Sequence, residues 1–495
     1  MEEEKKVIIK LTKEPLASER KEMREKRKHK VLIILLCVFL FLSGLGIGYG
    51  LTYIKMGSYY LSHKNNKFDE IKDYMKNVWL YKNDYEDLDT VLEDKAFYGM
   101  TKFEDDPYTT YMSKEENNSF ISSLNMNYVG IGVQYYQHNG TATITRVFKE
   151  SPAENAGIKV GDIMKKVNGE AVDNLTSDEI KNMVVGQEGT TVDITVDRNG
   201  EEKTLTVVRG SVDSTVYVET YEDIVILDIM SFGEDTANEC IKYLDDYKDY
   251  SKLIIDLRDN SGGLQASVEN IAGLFLGEDV VYMIQTFSNG QVEQAKTKAN
   301  AYYDNFKDIV ILTNESTASA AEVLTMCLKE QHDNVTTVGT KTYGKGVVQS
   351  RYLLNDDSTI KITTSAWSSP SGVSINGKGI VPDEEVRYDD IFYMVVPQME
   401  DDDVYKYDSV SNYVLIAEKS LRFLGYTCDR DDGYFDNSFT NALDKFKEDN
   451  NFEINHVLDK QTYDEIIDEI SYIYSTDINK DPQLTRAKEI LKWVK

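Results

Sequence analysis

Beyond residue 223 the chain alternates short apolar runs with segments of helical spacing. The runs 224–229, 253–257 and 309–312 are apolar on both faces, which is typical of strands buried within a sheet. Helical patterns occupy residues 235–247 and 264–276. This order predicts a mixed α/β fold in which helices cover a sheet.

A different pattern covers residues 128–200, where short β-type runs alternate with glycine turns and predict a small β-rich module. Its segments 128–133 (YVGIGV), 151–157 (SPAENAG) and 161–163 (GDI) resemble those of PDZ domains. The resemblance implies that the loop bearing Gly130, Ile131, Gly132 and Val133 binds a peptide C-terminus, which then adds a strand to the sheet edge. For the loop taken alone, a glycine-rich turn without a ligand is the alternative.

Residues 31–54 form an uncharged run that exceeds the ~20 apolar residues needed to span a bilayer core. Because positive flanks stay in the cytoplasm, this run predicts a single-pass signal anchor in the cell membrane, with the N-terminus cytoplasmic and the chain after Lys55 outside. A cleaved signal peptide is the alternative. The basic residues ahead of the run are Arg20, Lys21, Arg24, Lys26, Arg27, Lys28 and Lys30.

The chain as a whole is acidic. It carries 55 basic and 85 acidic side chains, a formal net charge of −30. Such a charge excludes nucleic acid as an expected partner and repels anionic lipid headgroups, so membrane attachment is left to the anchor.

Two segments carry the expected chemistry. In 314–322 (NESTASAAE) Ser319 stands among small residues, and in 341–349 (KTYGKGVVQ) Lys345 stands between glycines. A serine hydroxyl needs a base to become a nucleophile, and a lysine can be that base when burial lowers its pKa. The pattern indicates a Ser/Lys hydrolase that requires neither metal nor other cofactor. None of the histidines stands in a recognisable catalytic context: His29, His63, His138, His332 and His456.

Each of these residues also has a simpler interpretation. Ser319 and Glu322 match the capping box that opens a helix, and this role is compatible with catalysis because a helix N-terminus offers N–H donors. Lys345 alone would be a solvated turn lysine. Gln349 is placed to orient the lysine if both lie on one side of a strand, and an exposed strand glutamine is the alternative.

A glycine pair, Gly262 and Gly263, permits backbone conformations closed to other residues. One N–H from this turn, together with the N–H of Ala320, is predicted to form an oxyanion hole. The alternative is that the pair only ends a strand.

With these motifs, residues 68–383 resemble the carboxyl-terminal processing, or tail-specific, proteases. The resemblance implies that Ser319 is the nucleophile, Lys345 the general base and Gln349 the residue that positions the lysine. It also implies a crotonase-like ββα core with an inserted PDZ domain, a capacity to form homodimers, and gating by peptide binding to the PDZ domain. Further segments that carry the resemblance are 105–108 (DDPY), 257–264 (LRDNSGGL), 363–365 (TTS), 370–372 (PSG) and 379–383 (GIVPD).

The last part of the chain resembles the small helical peptidoglycan-binding domain, which makes a cell-wall glycan a candidate ligand. The segments that carry this resemblance are 421–426 (LRFLGY), 432–435 (DGYF), 440–446 (TNALDKF) and 458–463 (LDKQTY).

These patterns predict a series of modules and one function. The function is a membrane-anchored serine endopeptidase that recognises the C-terminal tails of protein or peptide substrates. A non-catalytic scaffold of PDZ and wall-binding modules is the alternative. A penicillin-binding enzyme is disfavoured because Lys341 and Thr342 precede Tyr343 rather than the glycine that class needs. The predicted modules are a basic cytoplasmic tail (1–30), the anchor (31–54), an N-terminal helical segment (62–115) with helical spacing over 68–92, a PDZ domain (116–210), the protease core (211–390) and a peptidoglycan-binding-like helical domain (405–495).

Overall fold

The computed structural model describes residues 17–63, 67–126, 128–138, 140–173, 175–212, 214–477 and 479–493. Side chains at positions 17–20, 45, 46, 49, 50 and 53–63 are outside this description, as are residues 1–16 of the predicted cytoplasmic tail. The chain divides into two compact units, Met1–Phe97 and Tyr98–Lys495.

The described residues of the first unit are largely helical. It contains α1 (Ala17–His63), α2 (Lys67–Val78), a 3-10 turn (Lys82–Asp84) and most of α3 (Leu88–Thr101). The helical spacing of 68–92 is therefore interrupted. The reason is Asp87, whose carboxylate accepts from the N–H (3.1 Å) and hydroxyl (2.8 Å) of Thr90 and so caps the start of a new helix.

The predicted anchor, residues 31–54, lies within α1. Among the residues that the structure describes, no helix has both the length and the apolar content that crossing a membrane requires, so the predicted transmembrane helix is not found in that part of the chain.

The second unit begins with β1 (Thr110–Met112) and α4 (Lys114–Asn125), followed by the β-rich module. The strands of this module pair antiparallel in the order β3-β4-β5-β7-β8, with β6 beside β5, so β3 is an edge strand. Alternate side chains such as Ile144, Ile194 and Val196 are fully buried, as the β-type pattern predicts. Its elements are β2 (Tyr128–Gly130), β3 (Val133–His138), β4 (Thr141–Val147), α5 (Pro152–Ala156), β5 (Ile163–Val167), β6 (Glu170–Ala171), α6 (Ser177–Val184), β7 (Thr191–Arg198), β8 (Glu201–Val208) and β9 (Gly210–Val212).

The central part is mixed α/β, which confirms the predicted class. One sheet has the order β10-β11-β12-β15-β16-β19 and is parallel except for β10, which pairs antiparallel with β11. A second, antiparallel sheet has the order β1-β18-β13-β14, with β17 paired to β18. The elements are β10 (Val216–Tyr221), β11 (Ile224–Ile229), α7 (Thr236–Leu244), β12 (Lys252–Asp256), α8 (Gln265–Leu276), β13 (Val281–Phe287), β14 (Val292–Lys296), β15 (Asp308–Thr313), α9 (Ala320–Gln331), β16 (Val335–Gly339), β17 (Val347–Leu353), β18 (Thr359–Ser368) and β19 (Glu384–Glu385).

The C-terminal module is largely helical. Phe435, Phe446 and Tyr463, which belong to the segments that carry the resemblance, pack in its core together with Phe439. Its elements, with the final helix of the chain, are β20 (Val404–Lys406), α10 (Asn412–Phe423), α11 (Asn437–Asp449), β21 (Val457–Asp459), α12 (Lys460–Thr476) and α13 (Pro482–Trp493).

The two faces of the parallel sheet are covered by different parts of the chain. Leu227, Ile255 and Ile311 pack in the large core with α7, α8 and α9, whereas the alternating residues pack against α13. That second cluster contains Ile226, Ile254, Val310, Leu484, Ala487 and Leu491. The final helix therefore packs on the protease core, although the sequence pattern placed it in the C-terminal module. The predicted domain boundaries stay predictions.

Candidate active site

Ser319 stands directly before α9, in a backbone conformation that is unusual for a residue with a side chain. Its φ is +56° and its ψ is −118°, which costs energy for any residue except glycine. The strand β15 leads into this turn, and α9 leads away from it. The half-buried hydroxyl is consequently presented at the N-terminus of a helix, as the sequence predicts.

The turn that contains Gly262 lies against Ser319. A Cβ atom on Gly262 would come within 2.8 Å of the Ser319 Cβ and within 2.9 Å of the Ala320 nitrogen. The φ of Gly262 is +102° and that of Gly263 is +152°. The positive φ values and the close approach to Ser319 therefore both favour glycine in this turn. The fully buried Asn260 holds the turn in place, because its Nδ2 donates to the carbonyl of Ile229 at 2.6 Å.

The N–H groups near Ser319 are not equivalent. The Gly262 N–H donates to Asn260 Oδ1 at 2.8 Å, whereas within the described part of the chain the Gly263 N–H has no acceptor. Ala320 supplies the first N–H of α9, which has no partner within the helix. Of the three residues predicted to form an oxyanion hole, Gly263 and Ala320 therefore have N–H groups without an acceptor among the described residues, and Gly262 provides the close packing.

Lys345 lies in the segment between β16 and β17. Its ammonium is 4.6 Å from the centroid of the Tyr108 ring, and its carbonyl accepts from the indole N–H of Trp367 at 2.9 Å. Burial, and to a lesser extent the positive charge of Lys361, lowers the pKa of Lys345 to about 8, while the carboxylate of Glu322 acts in the opposite direction. A large fraction of this lysine is therefore neutral near pH 8.

Glu322 joins the segments that carry Ser319 and Lys345. Its carboxylate is fully buried and accepts from the N–H groups of Ser319 (2.9 Å) and Lys345 (2.9 Å). It also accepts from the Thr342 hydroxyl (2.6 Å) and the Gly344 N–H (2.7 Å). The capping-box pattern had indicated only the first of these bonds.

Ser319 and Lys345 line one cavity of about 580 Å³. Within the described residues, no hydrogen bond joins the Ser319 hydroxyl to the Lys345 ammonium. Gln349 lines the same cavity, but its amide donates to the Thr363 hydroxyl at 3.2 Å rather than to the lysine. Thr363 in turn donates to Asp106 at 2.9 Å, which brings the 105–108 motif to the site.

The predicted peptide-binding residues lie on a second, larger cavity. Gly130, Ile131, Gly132 and Val133 line a space of about 1500 Å³ together with α6. Gly132 has a φ of +80°, and a Cβ there would come within 2.3 Å of Ser151, so the loop requires glycine. The edge strand β3 and α6 thus form the two sides of an open groove.

The helix α12 of the C-terminal module also borders this groove, which the sequence pattern did not indicate. The rings of His138 and Tyr472 are stacked with centroids 4.5 Å apart. The Nδ1 of His138 is 2.6 Å from Asp468, and its Nε2 is 2.9 Å from Glu469.

Other residues of the site were missed because they come from distant segments. Tyr108 belongs to a motif that the sequence singled out, but nothing in the motif assigns it to Lys345. Lys361 and Arg351 line the active-site cavity from β18 and β17, and they look like ordinary strand residues in sequence. To place Lys361 and Arg351 at this cavity, the register in which β17 pairs with β18 would have had to be known.

Family models match the two central modules of the chain. Residues 223–386 match peptidase family S41, and residues 129–208 match the PDZ domain. These segments contain, respectively, the Ser319 site and the groove beside β3.

The relatives extend this similarity over most of the chain. A protein named probable CtpA-like serine protease from Staphylococcus haemolyticus (strain JCSC1435) is 33% identical over 414 residues, which cover 81% of this chain and 82% of that protein. The carboxy-terminal processing protease CtpA of Bacillus subtilis (strain 168) is 32% identical over 445 residues, 88% of this chain and 93% of that protein. The similarity to the solved structure of the photosystem II D1 C-terminal processing protease covers 65% of this chain and 92% of that chain, at 22% identity and with a TM-score of 0.38.

The chain therefore belongs to the carboxy-terminal processing proteases, serine peptidases of family S41 that carry a PDZ domain. The resemblance to that family seen in the sequence is confirmed.

Proposed function

We propose that the chain is a membrane-anchored endopeptidase that binds the C-terminal tail of its substrate through the PDZ domain and cleaves peptide bonds with a Ser319/Lys345 pair. One observation carries the catalytic part. A single buried carboxylate, that of Glu322, accepts hydrogen bonds from the backbones of both residues, so the two side chains are held beside one cavity.

In this mechanism the neutral Lys345 amine takes the proton of the Ser319 hydroxyl as the oxygen attacks the scissile carbonyl. The lysine then returns the proton to the leaving amine, and an acyl-enzyme on Ser319 remains. Water hydrolyses this ester, with Lys345 again acting as the base. Because the structure has no Ser319–Lys345 hydrogen bond, the proposal includes a small closure that aligns them when a peptide binds.

The Gly263 and Ala320 N–H groups would stabilise the oxyanion, supported by Gly262, which packs against Ser319. In the aligned state the Gln349 side chain would give up its hydrogen bond to the Thr363 hydroxyl and bind the Lys345 amine instead, which would position the lysine. The crotonase-like arrangement of this core stays a prediction of the family resemblance.

Recognition of the substrate tail would use the edge of β3 that pairs with no described strand and that α12 borders. A peptide that pairs with this strand places its terminal carboxylate at the loop of residues 130–133 and its side chains in the groove beside α6. The gating of the active site by this event, homodimer formation and glycan binding by the C-terminal module stay predictions of the family resemblances.

The uncharged run at 31–54 and the basic residues before it support anchoring in the cell membrane as a single-pass protein with the N-terminus in the cytoplasm. Fractionation of membranes, followed by protease digestion of intact cells, tests this part separately. Digestion of the catalytic domain only after the cells are lysed would contradict it.

The catalytic proposal is tested with the full chain in detergent and a library of peptides with varied C-termini. Ser319→Ala and Lys345→Ala should each lower kcat by about 1,000-fold or more while peptide binding is retained. Ser123→Ala and Lys307→Met, at exposed positions outside the cavity, are the matched controls. If wild type and Ser319→Ala bind peptides equally and neither cleaves them, the scaffold alternative is correct.

A further inference from the structure

Two cationic side chains, Lys361 and Arg351, stand side by side on the wall of the active-site cavity. They lie directly opposite each other in the antiparallel pair of β17 and β18, so both side chains leave the same face of the sheet. Both line the cavity of about 580 Å³ that contains Ser319 and Lys345.

Neither cation has a carboxylate partner in the part of the chain that the structure describes. The nearby Asp357 instead binds Lys114 at 2.7 Å. Like charges that face each other across two strands destabilise a sheet, and an anion between them relieves that cost.

The surroundings of Lys361 strengthen its attraction for an anion. Its ammonium is 5.0 Å from the centroid of the Phe120 ring, and Leu124, Met283 and Trp367 line the same cavity. Burial lowers the pKa of Lys361, which means that its charged form has lost part of its hydration. An anion that enters an apolar cavity of this kind interacts with the lysine more strongly than it would in water.

We infer that Lys361, with Arg351 beside it, binds a carboxylate of the peptide substrate within the active-site cavity. The protease therefore prefers substrates that carry an acidic group close to the cleaved bond. This inference rests on the proposed peptidase function, and it describes a site separate from the PDZ loop, which lines the other cavity. The carboxylate comes either from an Asp or Glu side chain or from the free end of a short tail.

The test uses the full chain and matched pairs of peptides. One set exchanges Glu for Gln at each position around the cleaved bond, and a second set exchanges a free C-terminal carboxylate for a carboxamide. Wild type should cleave the acidic member of one set with a kcat/KM about tenfold higher. Lys361→Met should remove that preference and Lys361→Arg should keep it. Lys307→Met, which removes an exposed lysine elsewhere on the core, should leave the preference unchanged.

The two sets identify the source of the carboxylate. Dependence on Lys361 in the Glu/Gln set assigns a side chain, and dependence in the second set assigns the chain end. If Lys361→Met changes the preference in neither set, any remaining preference for a free carboxylate belongs to the PDZ loop and the inference is contradicted. Equal cleavage of both members of every pair by wild type contradicts it as well.

Binding measured in the Ser319→Ala background separates this inference from the proposed function. The ratio of Kd values for the neutral and acidic peptides should fall when Lys361→Met is added, to about one in the Glu/Gln set and to the contribution of the PDZ loop in the carboxamide set. If wild type cleaves nothing, the proposed function fails, and the Kd ratio still decides the carboxylate site. A ratio that Lys361→Met does not change overturns the inference.

Discussion

The ammonium of Lys345 lies 4.6 Å from the centroid of the Tyr108 ring, so the proposed base meets an aromatic face rather than a carboxylate. A carboxylate at this place would hold the lysine protonated, whereas the ring excludes water and leaves it partly neutral. The negative face of the ring still stabilises the ammonium that forms when the serine proton is transferred. The contact thus favours the cation at the moment when catalysis needs it.

Removal of this ring should slow the chemical step. Tyr108→Leu is expected to lower kcat by about 3- to 30-fold, because a cation–π contact contributes ~0.5–2 kcal/mol. Tyr108→Phe keeps the ring and should retain most of the activity. Single-turnover kinetics with one peptide measure the effect, and an equal loss in both variants would assign the role to the hydroxyl instead.

Activity should increase with pH through the pKa of Lys345, which is about 8. The base acts in its neutral form, so kcat/KM should fall by about tenfold per pH unit below that value and level off above it. Lys361 lowers the pKa of Lys345, so Lys361→Met should move the rising limb of the pH profile to higher pH. A peptide without acidic groups avoids any contribution from substrate binding, and Lys307→Met should leave the profile unchanged. A limb that stays in place in Lys361→Met would show that the two charges do not interact.

Glu322→Gln should shift the same limb in the opposite direction. The Glu322 carboxylate raises the pKa of Lys345, so its removal should move the limb to lower pH. The amide group of glutamine would also meet backbone donors in a fully buried position, which should destabilise the fold by about 3 kcal/mol. Urea unfolding and a pH profile measure the two effects. A loss of stability without a shift of the limb would limit Glu322 to a structural role.

Gly262→Ala should separate backbone strain from displacement of Ser319. Its new Cβ would lie 2.8 Å from the Ser319 Cβ, at a φ of +102°. Gly290→Ala is the matched control, since Gly290 has a φ of +83° but nothing within 4 Å of the added atom. Gly290→Ala should lose about 1 kcal/mol of stability through its backbone alone, Gly262→Ala should lose about 1–3 kcal/mol more through the clash, and only Gly262→Ala should lose about 100-fold in kcat. Equal activity of the two variants would show that the turn does not fix Ser319.

The sequence predicted the elements of the site more accurately than their contacts. The run 224–229 is β11 with identical limits, and Ser319 does precede a helix. These features follow from local patterns, because apolar runs and capping residues act within a few positions. The break between α2 and α3 was missed because the Asp87 cap competes with an otherwise continuous helical spacing.

The contacts that tune the site depend on tertiary packing. Tyr108 reaches Lys345 from the segment before β1, and Lys361 joins Arg351 only because of the register of β17 and β18. The packing of α13 on the parallel sheet also depends on tertiary structure, because an apolar helix face does not by itself specify the surface that it covers. Such pairings carry no local signature.

The position of α13 also has a consequence for synthesis of the protein. This helix follows every strand of the parallel sheet in chain order, so a ribosome releases all of them before the helix emerges. Until then Ile226, Ile254 and Val310 remain uncovered on the nascent chain. The peptidase core is therefore completed only after the module between its last strand and α13 has been translated, which delays assembly of an active enzyme until α13 itself has emerged.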